Sequence, residues 1–186
     1  MLSHQPERKR TSASLRIETD RLLLIPFTRE ATSALIRNEL GILEREGLKA
    51  EQGWPDQDAI ETFPKILRNL ELAGGAPTGF ESWLVLKKDG LRIIGDAGFK
   101  GRPNASGEAD IGYAIIQQER RAGYGTEAAS ALVEWAFGQP GVQAITAKCL
   151  TGNTASARTL ICMGFREVSR DDEYISWRLG KDRHFV

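Results

Sequence analysis

The sequence is short of the residues that build metal centres and nucleophilic triads. Its 186 residues include only two histidines and two cysteines. His4 and His184 lie near opposite ends of the chain, and Cys149 and Cys162 belong to no C-x-x-C or Cys/His cluster. We therefore expect no metal site and no Ser/His/Asp triad, and we interpret both cysteines as core residues.

Net charge and long apolar segments are also missing. Lys plus Arg and Asp plus Glu both number 25, so the chain has no overall positive field of the kind that attracts nucleic acid or an anionic membrane. The basic residues 1–10 are not followed by an apolar stretch as long as a signal peptide or a membrane span. We expect a cytoplasmic monomer or homodimer that binds neither nucleic acid nor membrane.

The remaining composition is that of one globular domain. The chain is 41% hydrophobic and 27% charged, and its length suits a single core. No internal repeat or linker is visible. We predict a flexible N-terminal tail at residues 1–14 and one domain at residues 15–186.

Hydrophobic periodicity predicts an α/β fold with the order β-α-α-β-β-β-α-β-α-β-β. Pro64 is expected to start, kink or split the second helix. The predicted elements are strands at 21–27, 83–86, 92–100, 108–116 and 142–150, a terminal hairpin within 166–179, and helices at 29–46, 58–72, 126–137 and 153–163.

Residues 120–126 (RRAGYGT), the glycine-rich loop, stand between an alternating strand and an amphipathic helix. Gly123 and Gly125 can adopt positive φ and carry no side chain, so successive N–H groups can turn toward one anion at the helix N-terminus. Arg120 and Arg121 add positive charge. The loop predicts a diphosphate site, although a glycine pair before a helix can also be a simple turn.

Two nucleotide motifs compete for this loop. Residues 123–128 match G-x-G-x-x-A, a form of the dinucleotide fingerprint, but no carboxylate follows in residues 143–148, where that fingerprint needs one. No Lys-Ser or Lys-Thr follows the glycines, so a nucleoside triphosphate loop is not supported. The diphosphate of coenzyme A remains.

Four segments in order resemble the GNAT acetyltransferase superfamily, and its RimJ/RimL-like branch in particular. They are residues 93–99 (IIGDAGF), 109–115 (ADIGYAI), 120–125 with its continuation GYGTEA, and 153–165 (NTASARTLICMGF). The resemblance spans roughly residues 15–179. It implies a mixed, mostly antiparallel sheet that splays between its fourth and fifth strands, with about four flanking helices and acetyl-CoA in the gap.

The resemblance and the loop chemistry together assign the cofactor contacts. Backbone N–H groups near Ile115 are expected to stabilise an oxyanion. Asn153 is placed beside the pantetheine arm, and it is equally suited to cap its helix by accepting from the N–H of Ser156. The predicted cofactor residues are Ile115, Ile116, Arg120, Arg121, Gly123, Tyr124, Gly125, Thr126 and Asn153.

The catalytic assignments are Ser156, Asp110 and Glu108. The resemblance places Ser156 near the thioester sulfur, where a hydroxyl can act as general acid, although many relatives use a Tyr that this helix lacks. Glu108 and Asp110 share one strand face, and either can accept a proton from an amine or simply face solvent. Some relatives carry a Glu on the fifth strand, where this chain has Lys148.

The predicted function is an acetyl-CoA-dependent N-acetyltransferase that acts on a primary amine, either a protein N-terminus or a small molecule. A non-catalytic acyl-CoA-binding or regulatory module is the alternative, and an NAD(P)-binding domain is a weaker one. The sequence carries no code for the acceptor. Tyr113, Trp83 and Trp135 are interpreted as core residues.

Overall fold

The computed structural model describes residues 15–183, so the predicted tail at residues 1–14 lies outside them. Nine strands and five helices occur in this described range. The strands are β1 (Ile17–Glu18), β2 (Leu22–Pro26), β3 (Lys49–Ala50), β4 (Ser82–Lys87), β5 (Arg92–Phe99), β6 (Glu108–Ile115), β7 (Ala144–Leu150), β8 (Arg166–Arg170) and β9 (Tyr174–Gly180). The helices are α1 (Arg29–Ile36), α2 (Gly41–Arg45), α3 (Gln57–Leu72), α4 (Tyr124–Phe137) and α5 (Thr154–Cys162).

The strands form one sheet in the order β1-β2-β4-β5-β6-β7-β9-β8, with β3 added beside β5. The β6–β7 and β3–β5 pairs are parallel, and the other neighbours are antiparallel. The prediction of a mixed, mostly antiparallel sheet is therefore confirmed.

The sheet opens between β6 and β7. Their parallel pairing runs only from Glu108–Ala144 to Ile111–Ala147. Beyond that point β6 continues to Ile115 against β5, and β7 continues to Leu150 against β9. The two strands thus separate, which confirms the predicted splay. We call the opening between residues 112–115 and 148–150 the β6–β7 gap.

Helix α4 covers one face of the sheet with the apolar stripe that its periodicity predicts. Ala129, Leu132, Val133 and Ala136 are all buried. The aromatic core interpretation holds for Trp83, which is fully buried and donates its indole N–H to the Gly79 carbonyl at 2.9 Å. Trp135 of α4 is half-buried and packs edge-on against Trp83, with ring centroids 5.7 Å apart.

The helix predicted at residues 29–46 is two helices in the structure. Thr28 caps α1, accepting from Ala31 N–H at 3.1 Å, as a Thr just before a helix is suited to do. The helix ends because Asn38 adopts φ 60°, while the N–H of residue 39 bonds the Ala34 carbonyl and that of Asn38 bonds the Leu35 carbonyl. This is the Schellman arrangement with Asn in the place usually held by Gly.

Pro64 neither splits nor starts its helix, because α3 runs through it. Pro64 lacks the N–H that would bond the Ile60 carbonyl. Both residues lie on the exposed side of α3, so solvent can satisfy that carbonyl. A proline on a solvent-facing position is therefore tolerated here.

The core interpretation of the two cysteines is half correct. Cys149 is buried, and the Trp177 indole N–H lies 3.2 Å from its Sγ. Cys162 is exposed at the end of α5, a helix whose only buried residue is Leu160. The interpretation of Cys162 as core is therefore wrong, because this short helix buries too narrow a face to include it.

Candidate active site

The β6–β7 gap is lined by backbone polar groups of β6. Ile116 N–H donates to the Ile94 carbonyl of β5 at 3.0 Å. Because backbone groups alternate in direction along an antiparallel ladder, Tyr113 and Ile115 direct their N–H groups away from β5. They point toward β7 in the stretch where the β6–β7 ladder has ended. An extended ligand in the gap can therefore bond to β6 as a strand would.

The glycine-rich loop leads directly into α4. Arg121 and Gly123 adopt φ 64° and 84°, and the first intrahelical bond runs from Glu127 N–H to the Gly123 carbonyl. Gly125 lies inside the first helical turn without positive φ, so the residue that shares the left-handed conformation with Gly123 is Arg121. The N–H groups of residues 124–126 have no intrahelical partner, which makes this terminus suited to an anion.

Gly125 faces the base of the gap. A Cβ on Gly125 would stand 3.6 Å from Ile115 Cγ1 and 3.6 Å from Tyr113 Cδ2, which is ordinary van der Waals contact. Space for one methyl group thus exists, but a branched side chain would have to push on those neighbours.

The two arginines and Ile116 have different roles in the loop. Arg120 Nε donates to the Ile115 carbonyl at 2.7 Å, so this side chain fixes the turn that follows β6. Arg121 is exposed and makes no ion pair within residues 15–183. Ile116 is 2% exposed, so its side chain belongs to the core. Of the two arginines, Arg121 is the one whose guanidinium makes no hydrogen bond within the described residues.

Arg21, which the sequence analysis did not single out, ties the loop to the β1–β2 turn. Its Nε donates to Glu127 Oε2 at 2.7 Å, its Nη1 donates to the Ala122 carbonyl at 2.9 Å, and its guanidinium lies 4.5 Å from the Tyr124 ring centre. Burial alone would raise the pKa of Glu127, but bonds from Thr19 and Arg21 outweigh burial and lower it. The loop is therefore braced by a charge-assisted network.

Helix α5 places the Ser156 hydroxyl beside the hydroxyl of Tyr113 on β6. Asn153 Oδ1 accepts from Ser156 N–H at 3.1 Å, which confirms the predicted cap. Ser156 Oγ lies 3.2 Å from the Tyr113 hydroxyl, and either can donate. Burial raises the pKa of Tyr113. Tyr113 is thus more than the core residue predicted, because its hydroxyl links β6 to α5.

A family comparison agrees with this geometry. The family described as the acetyltransferase (GNAT) domain matches residues 21–166. The chain belongs to the GNAT family. YjdG of Bacillus subtilis (strain 168), named an uncharacterized N-acetyltransferase, is 34% identical over 161 residues, which cover 87% of this chain and 95% of YjdG. YoaA of the same organism, also named an uncharacterized N-acetyltransferase, is 28% identical over 81% of this chain and 82% of its own length.

Solved structures share the GNAT fold at low identity. The ribosomal-protein-S5-alanine acetyltransferase from Vibrio fischeri has a TM-score of 0.64 and 14% identity, covering 91% of this chain and 98% of that one. The microcin C7 self-immunity acetyltransferase MccE, solved with acetyl-CoA and AMP, has a TM-score of 0.60 and 16% identity, covering 87% and 93%. The family and the named relatives make this protein an acetyltransferase.

The carboxylates predicted as bases in this GNAT domain are both ion-paired. Glu108 Oε1 accepts from Arg178 Nε at 2.9 Å, and Asp110 Oδ2 lies 2.7 Å from Lys100 Nζ. The bond from Arg178 lowers the pKa of Glu108. Both carboxylates stand in the part of β6 that is still paired with β7. The structure therefore places them outside the splayed half of the strand.

Asp96, which the sequence analysis did not single out, is the carboxylate beside the splayed half. It lies on β5 opposite Ala114 and is half-buried. Burial, and after it the charges of Asp56 and Asp58, raise its pKa to about 7. The only sequence signal was a carboxylate inside the apolar strand segment IIGDAGF.

Two features are absent from the described residues. Within residues 15–183, no group of three or more His, Cys, Asp or Glu side chains is arranged to hold a metal ion. In the same range, no helix combines the length and apolar character needed to cross a membrane.

Proposed function

We propose that this GNAT protein is an acetyl-CoA-dependent N-acetyltransferase that acetylates a primary amine. The observation that carries the proposal is the β6–β7 gap, which opens beside the glycine-rich N-terminus of α4. A strand-like pantetheine arm and a diphosphate need these two features side by side. The solved structure of MccE with acetyl-CoA, which shares the fold, supports the same cofactor.

The described residues of the loop offer groups suited to that cofactor. The free N–H groups of Tyr124, Gly125 and Thr126, together with the side chain of Arg121, would hold the diphosphate. Arg120 and Ile116 would act indirectly, by fixing the end of β6. Asn153 would stay a helix cap and present α5 to the pantetheine arm.

The gap supplies groups for acyl transfer. Acetyl-CoA, when bound, supplies the acetyl group as a thioester. The N–H groups of Tyr113 and Ile115 would bond the acetyl oxygen and stabilise negative charge on it. The hydroxyl pair of Ser156 and Tyr113 would donate a proton to the departing sulfur. The acceptor class is either a protein N-terminus or a small amine.

The test is binding followed by turnover. Isothermal titration calorimetry with acetyl-CoA is expected to show one site, with NADH giving no heat. Thiol release across a panel of N-terminal peptides, amino acids and polyamines is expected to reveal at least one acceptor. Acetyl-CoA binding without transfer to any amine would support the non-catalytic module instead, and NADH binding alone would refute the cofactor assignment.

A further inference from the structure

We propose that Asp96 is the catalytic residue that accepts the proton of the acceptor amine. The inference rests on the N-acetyltransferase function proposed above. It assigns to β5 the role that the sequence analysis gave to Glu108 and Asp110 on β6.

Position is the first argument. Asp96 and Ala114 form a hydrogen-bonded antiparallel pair, so their Cα atoms are about 5.5 Å apart. Ala114 lies between Tyr113 and Ile115, whose N–H groups face the gap. Asp96 therefore stands one strand spacing, about 4.8 Å, from the strand that would hold the acetyl group. The acetyl group would lie in the gap on the far side of β6, so the proton of the amine would reach Asp96 through water.

The face on which Asp96 lies is open. Tyr113 and Ile115 contact α4 at Gly125, so Ala114 and its partner Asp96 point to the opposite face of the sheet. On that opposite face, a Cβ placed on Gly112 would meet no heavy atom within 4 Å. An amine can thus approach the gap over Gly112 with Asp96 at its side.

The side-chain carboxylate of Asp96 makes no hydrogen bond or ion pair within residues 15–182. Asp96 is half-buried, so solvent can reach its carboxylate in the free protein. An ammonium group would satisfy Asp96.

The charges around Asp96 favour this role. The groups that act on it are Asp56 and Asp58, from the N-terminus of α3, and its cross-strand neighbours Leu84 and Ala114 carry no charge. Burial, and after it the two anions, raise the pKa of Asp96 to about 7, and the same anions attract a cationic amine. A base with a pKa near the working pH is the most efficient one.

The proton balance is complete with groups already named. One N–H bond of the ammonium breaks, and its proton passes to Asp96. The freed nitrogen lone pair forms the bond to the acetyl carbon, the C–S bond breaks, and its electron pair leaves on sulfur. The Ser156–Tyr113 pair protonates the sulfur and is recharged by the second proton lost from nitrogen. Asp96 returns the first proton to solvent.

The experiment compares Asp96→Asn with Asp89→Asn, an exposed carboxylate in the β4–β5 turn. The rate with the best amine from the panel is measured against pH, and acetyl-CoA affinity is measured by calorimetry. Asp96→Asn is expected to lower kcat by about 10²–10⁴-fold, to remove the pH limb near 7 and to keep acetyl-CoA affinity. Asp89→Asn is expected to behave as wild type.

A titration without substrate gives an independent readout. Carbon-13 NMR of labelled aspartate carboxyls in the free protein is expected to show one carboxyl that titrates near pH 7 and is absent from Asp96→Asn. If that variant unfolds, Asp96→Glu keeps the test: the pH limb stays while kcat falls. If the wild type is active and Asp96→Asn keeps both kcat and the pH limb near 7, the assignment of Asp96 as the base is wrong, while the proposed enzymatic function stands. Acetyl-CoA binding without transfer to any amine would overturn the enzymatic function as well.

Discussion

The carboxylates on the paired end of β6 and Asp96, which lies on β5 beside the open end of β6, stand in different electrostatic surroundings. Where β6 is paired with β7, Glu108 and Asp110 each contact a cation, Arg178 and Lys100 respectively. Where the strands have separated, burial and after it the charges of Asp56 and Asp58 raise the pKa of Asp96, and no cation is paired with it in the described residues. The paired end is neutralised by the protein itself, whereas the open end leaves an acidic group without a counterion. This difference supports the proposal that Asp96 binds the ammonium group of the acceptor.

The largest expected effect sets the two ends directly against each other. Asp96→Asn is predicted to lower kcat by about 10²–10⁴-fold, because the amine loses its proton acceptor. The double variant Glu108→Gln, Asp110→Asn is predicted to lose less, since its carboxylates are held by Arg178 and Lys100. Steady-state kinetics with one amine at several pH values measures both. A double variant with the greater loss, and with the limb near pH 7 removed, would reverse the comparison in favour of β6.

A second test asks whether the open end binds the cofactor. Gly125→Val places branched methyl groups against Ile115 and Tyr113 and crowds the free N–H groups of α4. Acetyl-CoA affinity is expected to fall at least about tenfold, or about 1.4 kcal/mol. Gly125→Ala is the matched control, because its Cβ makes only ordinary contacts, and it should lose less. Calorimetry with both variants, checked by thermal melting, decides the point. If Gly125→Val kept the full affinity for acetyl-CoA, the glycine-rich loop would be a simple turn and not a diphosphate site.

The raised pKa of Asp96 should also lower the free energy of unfolding as pH rises. Asp96 has a native pKa near 7 and an ordinary value of 3.8, so between these values the unfolded chain ionises first and the native state loses relative stability. The slope can approach about 1.4 kcal/mol per pH unit. Asp96→Asn lacks this penalty, so its melting temperature should exceed that of wild type at pH 8 and match it near pH 4. Equal melting curves at both pH values would mean that Asp96 ionises freely.

Local patterns in the sequence predicted most of the fold. The stripe of α4, the Thr28 and Asn153 caps and the order of the main strands all follow from periodicity and capping chemistry. The strands β1 and β3 were not predicted, because a two-residue strand is too short to show an alternating pattern. Asn38 escaped because its left-handed cap is usually a Gly position.

The site was less predictable, because its decisive contacts join distant parts of the chain. Arg21 and Glu127 are 106 residues apart, and Tyr113 and Ser156 are 43 apart. Asp96 differs from Glu108 and Asp110 only in what the folded chain places around it. Alternation along a strand assigns a face to a carboxylate but says nothing of the charges that tertiary packing brings to it.

The smallest expected effect tests what raises the pKa of Asp96. Asp58→Asn removes one of the two charges that raise the pKa of Asp96, so the pH limb near 7 should move to lower pH. Asp58 is exposed, so the shift should be small and should shrink in high salt. Asp56 is unsuited to this test, since its side chain caps α3 at Ala59 N–H and its loss would cost about 1 kcal/mol of stability. Glu61→Gln, one turn further along α3, should leave the limb in place. The pH–rate profiles of the two variants at low and high salt measure the effect. A limb that moves to higher pH in Asp58→Asn, or that moves equally in Glu61→Gln, would show that the charges at the α3 N-terminus do not raise the pKa of Asp96, and burial alone would then have to account for the raised value.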